Sequence, residues 1–187
     1  MTKITTSLCV LSLSLVAACG DDPVSYSAPV GINLKAESGA VNGTALTDEK
    51  GITTESGNPY GAFVGSARSE LGADPGRIEL ADLTLTLGAG SDGVTALEQI
   101  YAGPVDVLFI MGDSDNTYPA ARITNPTGTG PVAVGVTFES NDISDVDFAK
   151  FLGGGFKVVI RGNAASDFAT KGAKADLQLM FTFAAFE

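Results

Sequence analysis

The sequence predicts an all-β domain, an antiparallel β-sandwich of about seven to nine strands with one or two short helices. Three observations support this class: short strand-like apolar segments recur along the chain, glycine and asparagine clusters separate them, and no long helical period is present. Of its 187 residues, 23 are glycine and none is tryptophan. This composition is typical of short strands joined by tight turns. A closed β-barrel is the alternative architecture.

Seven segments have the pattern of strands, most of them with apolar residues at alternate positions. They are residues 31–36, 60–67, 77–88, 105–111, 131–140, 155–162 and 175–186. In 77–88 the alternation changes phase at Ala81 and Asp82, which predicts a β-bulge. The segment 131–140 is expected to be a single strand, because one face carries Val132, Val134, Val136 and Phe138.

Two further segments have a helical pattern. In residues 141–153, Asn141 or Asp142 is the expected N-cap, acidic residues near the start and Lys150 near the end suit the helix dipole, and Gly153 suits the end of a helix. Residues 92–103 match a helix less well.

The first part of the chain has the composition of an export signal. Lys3 is the only charged residue before Asp21, and residues 8–18 form an apolar run of the length expected for the hydrophobic part of a signal peptide. Residues 20–29 are polar and contain two prolines, which predicts a flexible tether. The folded domain is therefore expected to occupy residues 30–187.

Residues Val16, Ala17, Ala18 and Cys19 resemble the lipobox of bacterial lipoproteins, in which an aliphatic and two small residues precede a cysteine. The resemblance implies that the Cys19 thiol receives a diacylglyceryl group, that the signal peptide 1–18 is removed, and that the new amino terminus is acylated. Residues 19–29 then form a lipidated cysteine and its tether. Such a protein is anchored to a membrane without spanning it.

The residue after Cys19 bears on where the anchor is delivered. In enteric-type sorting an aspartate there resembles a retention signal for the inner membrane, whereas this sequence has Gly20. The resemblance therefore implies a bacterial cell-envelope protein held at the outer membrane by its N-terminal lipid.

The chain is strongly acidic, with 22 Asp and Glu against 11 Lys and Arg and a formal charge of −11. Such a surface repels phosphate backbones, so nucleic acid is not an expected partner. The ordinary consequence of this charge is solubility of the domain.

The residue types that are absent restrict the chemistry. The sequence has no histidine, and after processing Cys19 would be its one remaining cysteine. This excludes Ser-His-Asp triads, thiol nucleophiles and Cys/His zinc sites. We therefore expect no enzyme, but a binding or scaffolding domain whose partner is an envelope protein or glycan. The alternative is a carboxylate-dependent hydrolase acting on envelope glycans, which needs only two acidic side chains.

Calcium is the one cofactor for which the sequence offers candidate ligands. Two acidic clusters carry the oxygen ligands that this ion prefers. The first contains Asp113, Asp115 and Asn116, and the second contains Asp142, Asp145 and Asp147. Aspartate and asparagine also favour turns and helix starts, which is the other interpretation of both clusters.

Two tyrosines are candidate binding residues. Tyr60 in GNPYG and Tyr118 in DNTYP have the sequence context of loops, where recognition residues concentrate. The other interpretation is that each ring lies half-buried beneath a loop, as amphipathic rings commonly do.

Overall fold

The computed structural model of the protein describes residues 24–187, and this range contains nine strands and two α-helices. The strands are β1 Ser25–Glu37, β2 Ala45–Ile52, β3 Arg77–Leu87, β4 Tyr101–Met111, β5 Thr117–Ile123, β6 Val132–Ala133, β7 Gly135–Val136, β8 Phe156–Ala164 and β9 Lys174–Phe186. The helices are α1 Pro59–Leu71 and α2 Asp145–Leu152. The predicted signal peptide and Cys19 lie outside the described residues.

The strands form two antiparallel sheets. The first sheet has the order β1-β9-β3-β6 and the second has the order β2-β8-β4-β5-β7. Their inner faces enclose one apolar core, so the predicted all-β sandwich is confirmed. The alternative of a closed barrel is wrong, because the strands of residues 24–187 form two sheets with separate edges.

Alternating apolar residues on β9 supply much of this core. Leu177, Leu179, Phe181 and Phe183 are all at most 1% exposed. On the neighbouring β3, the pairing with β9 shifts register between Leu80 and Asp82, so the bulge predicted there is confirmed. The bulge lets the apolar residues on both sides of it face the core.

A segment that we call the strap, residues 132–139, runs between the two sheets. Its first part pairs with β3 of the first sheet, and Gly135–Val136 then pairs with β5 of the second. It returns to the first sheet where the Leu80 amide donates to the Phe138 carbonyl at 3.4 Å. The prediction of a single strand over 131–140 is therefore wrong, because the chain exchanges one sheet for the other within it.

The segment 60–67, predicted as a strand, is part of helix α1. Asn58 caps it by accepting a hydrogen bond from the Tyr60 amide at 3.0 Å, Pro59 is its first residue, and Gly72 ends it with φ of 73°. Its buried residues recur at helical spacing: Tyr60, Phe63, Val64, Ala67 and Leu71. Gly61 is required because a Cβ there would lie 2.8 Å from the carbonyl oxygen of Thr54.

Strand β1 begins inside the segment predicted as a tether. Residues 25–29 already pair with β9, from Ser25 opposite Phe186 to Pro29 opposite Thr182. A proline is tolerated here because β1 is an edge strand of its sheet. Strand pairing among the described residues is therefore already present at Ser25, ahead of the predicted domain start at residue 30.

Strands β2 and β5 were not predicted, and the weaker helix prediction at 92–103 is wrong. That segment contains a single 3-10 turn at Leu97–Gln99 before β4 begins at Tyr101. Neither helix in residues 24–187 is long and apolar enough to cross a membrane.

Candidate functional site

The turn between β4 and β5 lies against the start of α2, and the two form the main polar cluster of the domain. The turn is tight: the Met111 amide donates to the Asn116 carbonyl at 2.9 Å, closing the ends of the two strands. Asp113 and Asp115 adopt left-handed backbone conformations, with φ of 63° and 53°. Aspartate tolerates this conformation better than most residues, which explains its use here.

Helix α2 begins with a side-chain cap. Ser144 is the N-cap, and its hydroxyl accepts a hydrogen bond from the Asp147 amide at 3.3 Å. The predicted caps, Asn141 and Asp142, lie instead in a short 3-10 turn, Ser140–Asp142. Asp145 and Asp147 occupy the first helical turn, where a negative charge interacts favourably with the helix dipole.

The Asp147 carboxylate receives four hydrogen bonds. Ser114 donates to Oδ1 at 3.0 Å and Lys150 at 3.3 Å, while Asn116 donates to Oδ2 at 2.7 Å and Tyr118 at 2.8 Å. We call this arrangement of five residues the clasp. It connects the β4–β5 turn to α2 through side chains alone.

Asp147 is 1% exposed and is the one buried charged residue among residues 24–187. A buried carboxylate is costly unless donors compensate its charge. Here the hydrogen bonds from Asn116 and Tyr118, followed by those from Ser114 and Lys150, hold the pKa of Asp147 well below its usual range. The same contact raises the pKa of the Tyr118 hydroxyl, since its proton is bound by a carboxylate. Asp147 is therefore an anion and Tyr118 a proton donor at neutral pH.

A cavity of about 220 Å³ lies beside the clasp. It is lined by Tyr118, Pro119, Thr137, Phe138, Glu139, Asp142 and Ile143. Phe138 and Ile143 are buried and form an apolar floor, whereas Glu139 and Asp142 are exposed and place two carboxylates at the edge. The cavity thus combines a half-buried tyrosine, an apolar surface and negative charge.

The six candidate calcium ligands do not converge. Asn116 and Asp147 are brought together, but as donor and acceptor of one hydrogen bond. Asp113 and Asp115 are exposed in the turn, Asp142 lines the cavity, and Asp145 is exposed at the start of α2. Within residues 24–187 no group of three or more acidic side chains is placed to hold a metal ion. The geometry therefore gives the calcium prediction no support.

The prediction for Tyr60 is wrong, because this residue is fully buried. It is the second residue of α1, and its ring packs against Phe151, Phe156 and Phe183 with centroid distances of 5.1–5.5 Å. Its hydroxyl donates to the Phe151 carbonyl at 3.0 Å. Tyr60 is a core residue, whereas Tyr118 lines the cavity and stays a candidate for binding.

Sequence reasoning missed the donors Ser114, Tyr118 and Lys150 of the clasp and the N-cap Ser144. One signal was available: Ser144 and Asp147 have the spacing of a serine N-cap followed three residues later by an acid. No protein-family model matches the chain, and no curated protein sequence matches it either.

Proposed function

We propose that the protein is a lipid-anchored component of the bacterial cell envelope whose sandwich binds a partner without catalysis. The observation that carries the binding part is the cavity at Tyr118, whose ring lines it while the clasp holds the hydroxyl. The anchor part rests on the lipobox-like residues 16–19.

The start of β1 relates the anchor to the cavity. Six peptide steps separate Cys19 from Ser25, and a chain of this length spans at most about 21 Å. Ser25 pairs with Phe186, Phe186 also pairs with Arg77, and Glu79 bridges to Glu139 at the cavity edge. The cavity therefore lies at the end of the sandwich from which the tether leaves. A protein anchored through Cys19 would present this end close to the membrane.

The chemistry of the cavity favours a basic side chain of a partner protein. Glu139 and Asp142 provide negative charge, and the Tyr118 ring provides a surface on which an ammonium or guanidinium group is attracted. The net charge of −11 would also attract a basic partner over a longer range. A volume of about 220 Å³ suits one side chain rather than a large ligand.

The hydrogen bonds that the Asp147 carboxylate already accepts support binding rather than catalysis. A general base must accept a proton near the working pH. Asp147 has its oxygens engaged by four donors and its pKa held low, so it is a poor proton acceptor.

Site-specific photocrosslinking in intact cells tests the binding surface. A photoreactive residue at Thr137, which lines the cavity, is expected to give a discrete crosslinked species. The control carries the same photoreactive residue in place of Gln178, which is exposed on the outer face of β9. Asp142→Lys should weaken the Thr137 crosslink, whereas Glu70→Lys, an equal charge change on α1, should not. Equal crosslinking from both positions, or insensitivity to Asp142→Lys, would contradict the proposed surface.

Cell fractionation tests the anchor separately. Cys19→Ser removes the thiol that would be acylated and is expected to move the mature protein from the membrane to the soluble fraction. Retention of the variant on membranes after a carbonate wash would show that another feature attaches the protein.

A further inference from the structure

The outer face of the second sheet carries a row of three charged residues. Arg161 of β8 lies opposite Asp106 of β4, and Asp106 lies opposite Arg122 of β5. Directly opposed residues on antiparallel strands have Cβ atoms about 5 Å apart. Two guanidinium groups are therefore placed on either side of one carboxylate.

Only one of these two arginines is neutralised. Arg122 Nη1 lies 3.0 Å from Asp106 Oδ1. Among residues 24–187, no carboxylate lies within 4.0 Å of the Arg161 guanidinium, and Arg161 is the one arginine of this range without an ion pair inside it. In a chain with 22 acidic residues, an arginine left free beside a second arginine is an exposed group with unused hydrogen-bond donors.

Two adjoining depressions lie along this row. One has a volume of about 240 Å³ and is lined by Arg161, Arg122, Asn163, Pro104 and their neighbours. The other has a volume of about 260 Å³ and is lined mainly by Leu108, Pro119, Ala121 and Thr137. Asp106 and Arg122 belong to both, so the two form one groove with a cationic half and an apolar half.

We propose that this groove, the arginine groove, binds a monocarboxylate with an aliphatic tail. The guanidinium fork of Arg161 matches a carboxylate in two parallel hydrogen bonds, and the tail lies over Leu108 and Pro119. The Asp106 carboxylate favours a ligand with a single negative charge, because it would repel a phosphate dianion in the same place more strongly. The apolar half of the groove shares Pro119 and Thr137 with the proposed basic-ligand cavity. The charged groups differ, since this proposal relies on Arg161 whereas the cavity relies on Glu139 and Asp142, so different substitutions test the two.

Calorimetric titration with octanoate tests this site. The full chain carrying Cys19→Ser is used so that no detergent competes with the tail. Octanoate is expected to bind at millimolar or lower concentrations and at least about tenfold more tightly than acetate, since acetate lacks the apolar contact. Octanol, which has the tail without the charge, should not displace it. Absence of octanoate binding, or equal binding of octanol, would overturn the proposal.

Two substitutions locate the binding. Arg161→Gln is expected to weaken octanoate binding at least about tenfold, because it removes a charged hydrogen-bond donor. Arg68→Gln, the same change on the exposed face of α1, should leave it within twofold. Asp106→Asn should improve the binding of octyl phosphate relative to octanoate. If Arg161→Gln binds octanoate like its parent while its melting temperature is unchanged, octanoate binds elsewhere and the assignment of the groove is wrong.

Discussion

Tyr60 and Tyr118 are anchored to opposite ends of the same helix. The Tyr60 hydroxyl donates to the Phe151 carbonyl near the end of α2, and the Tyr118 hydroxyl donates to the Asp147 carboxylate near its start. Both tyrosines have similar sequence contexts, with proline and asparagine close by. One is fully buried and the other is half-buried at a cavity, so the tertiary position of each residue decides its role.

The two contacts differ in the forces that support them. Tyr60 lies in a cluster of aromatic rings and binds a neutral acceptor, so shape and burial account for most of its contribution. Tyr118 binds a charged acceptor close to water, so hydrogen bonding and charge account for most of its contribution. Loss of the ring is therefore expected to be the larger loss of stability at Tyr60. At Tyr118, loss of the hydroxyl removes one of the four hydrogen bonds that Asp147 accepts.

The largest effect is expected at Tyr60. Tyr60→Ala empties a fully buried ring site and should lower the free energy of unfolding by roughly 3–5 kcal/mol. Tyr60→Phe keeps the ring but leaves the Phe151 carbonyl without this donor, at a cost of about 1–2 kcal/mol. Denaturant unfolding of the three proteins measures both values. If Phe is as damaging as Ala, the hydroxyl rather than the ring is the main contribution at this site.

The second-largest loss of stability is expected at Asp147. Asp147→Asn removes the charge that four donors share and places an amide against the Asn116 and Tyr118 donors, so the melting temperature at pH 7 should fall by roughly 5 °C. Asp145→Asn, an exposed position in the same helical turn, is the matched control and should change it by no more than about 1 °C.

The same variant has a defined pH dependence. Hydrogen bonds lower the pKa of Asp147 below the ordinary value of 3.8, so its stabilisation is complete well above that pH and is lost as the pH falls below it. The difference in melting temperature between parent and Asp147→Asn should therefore be constant from about pH 7 to 5 and should shrink toward pH 2. A difference that grew on acidification would contradict the anionic clasp.

The smallest effect is expected at Tyr118. Tyr118→Phe removes one of four donors to Asp147 and leaves a ring at the cavity, so the loss of stability should be about 1 kcal/mol or less. Because the remaining donors still hold the carboxylate, the acid sensitivity should change less than in Asp147→Asn. Thermal unfolding at two pH values separates these outcomes, and a loss as large as that of Asp147→Asn would mean that Tyr118 alone holds the clasp.

Much of the fold was predictable because the alternation of apolar and polar residues along a strand indicates which side chains are buried. The row from Leu177 to Phe183 and the phase change at Ala81 and Asp82 describe the inner faces of β9 and β3. Helix α1 was missed because its glycines and small residues give little contrast between apolar and polar positions, although Tyr60, Phe63 and Val64 already have helical spacing. The strap has a strand-like pattern, but alternation contains no information about which sheet a residue joins.

The candidate site was less predictable for a related reason. The acidic clusters were recognised and do contact one another, through Asn116 and Asp147. Their chemistry depends on Ser114, Tyr118 and Lys150, which donate hydrogen bonds from the turn, from β5 and from α2, respectively. The identity of a side chain indicates whether it can accept or donate a hydrogen bond. Which partner it bonds to is determined by the packing of α2 against the β4–β5 turn.

The proposed envelope location depends on lipidation of Cys19, which can be tested by the intact mass of the protein purified from bacterial membranes. We expect a chain that begins at Cys19 and carries the added mass of a diacylglyceryl group and an amide-linked acyl chain, with no free thiol. A chain that keeps residues 1–18, or one that is cut elsewhere and has an unmodified cysteine, would contradict it.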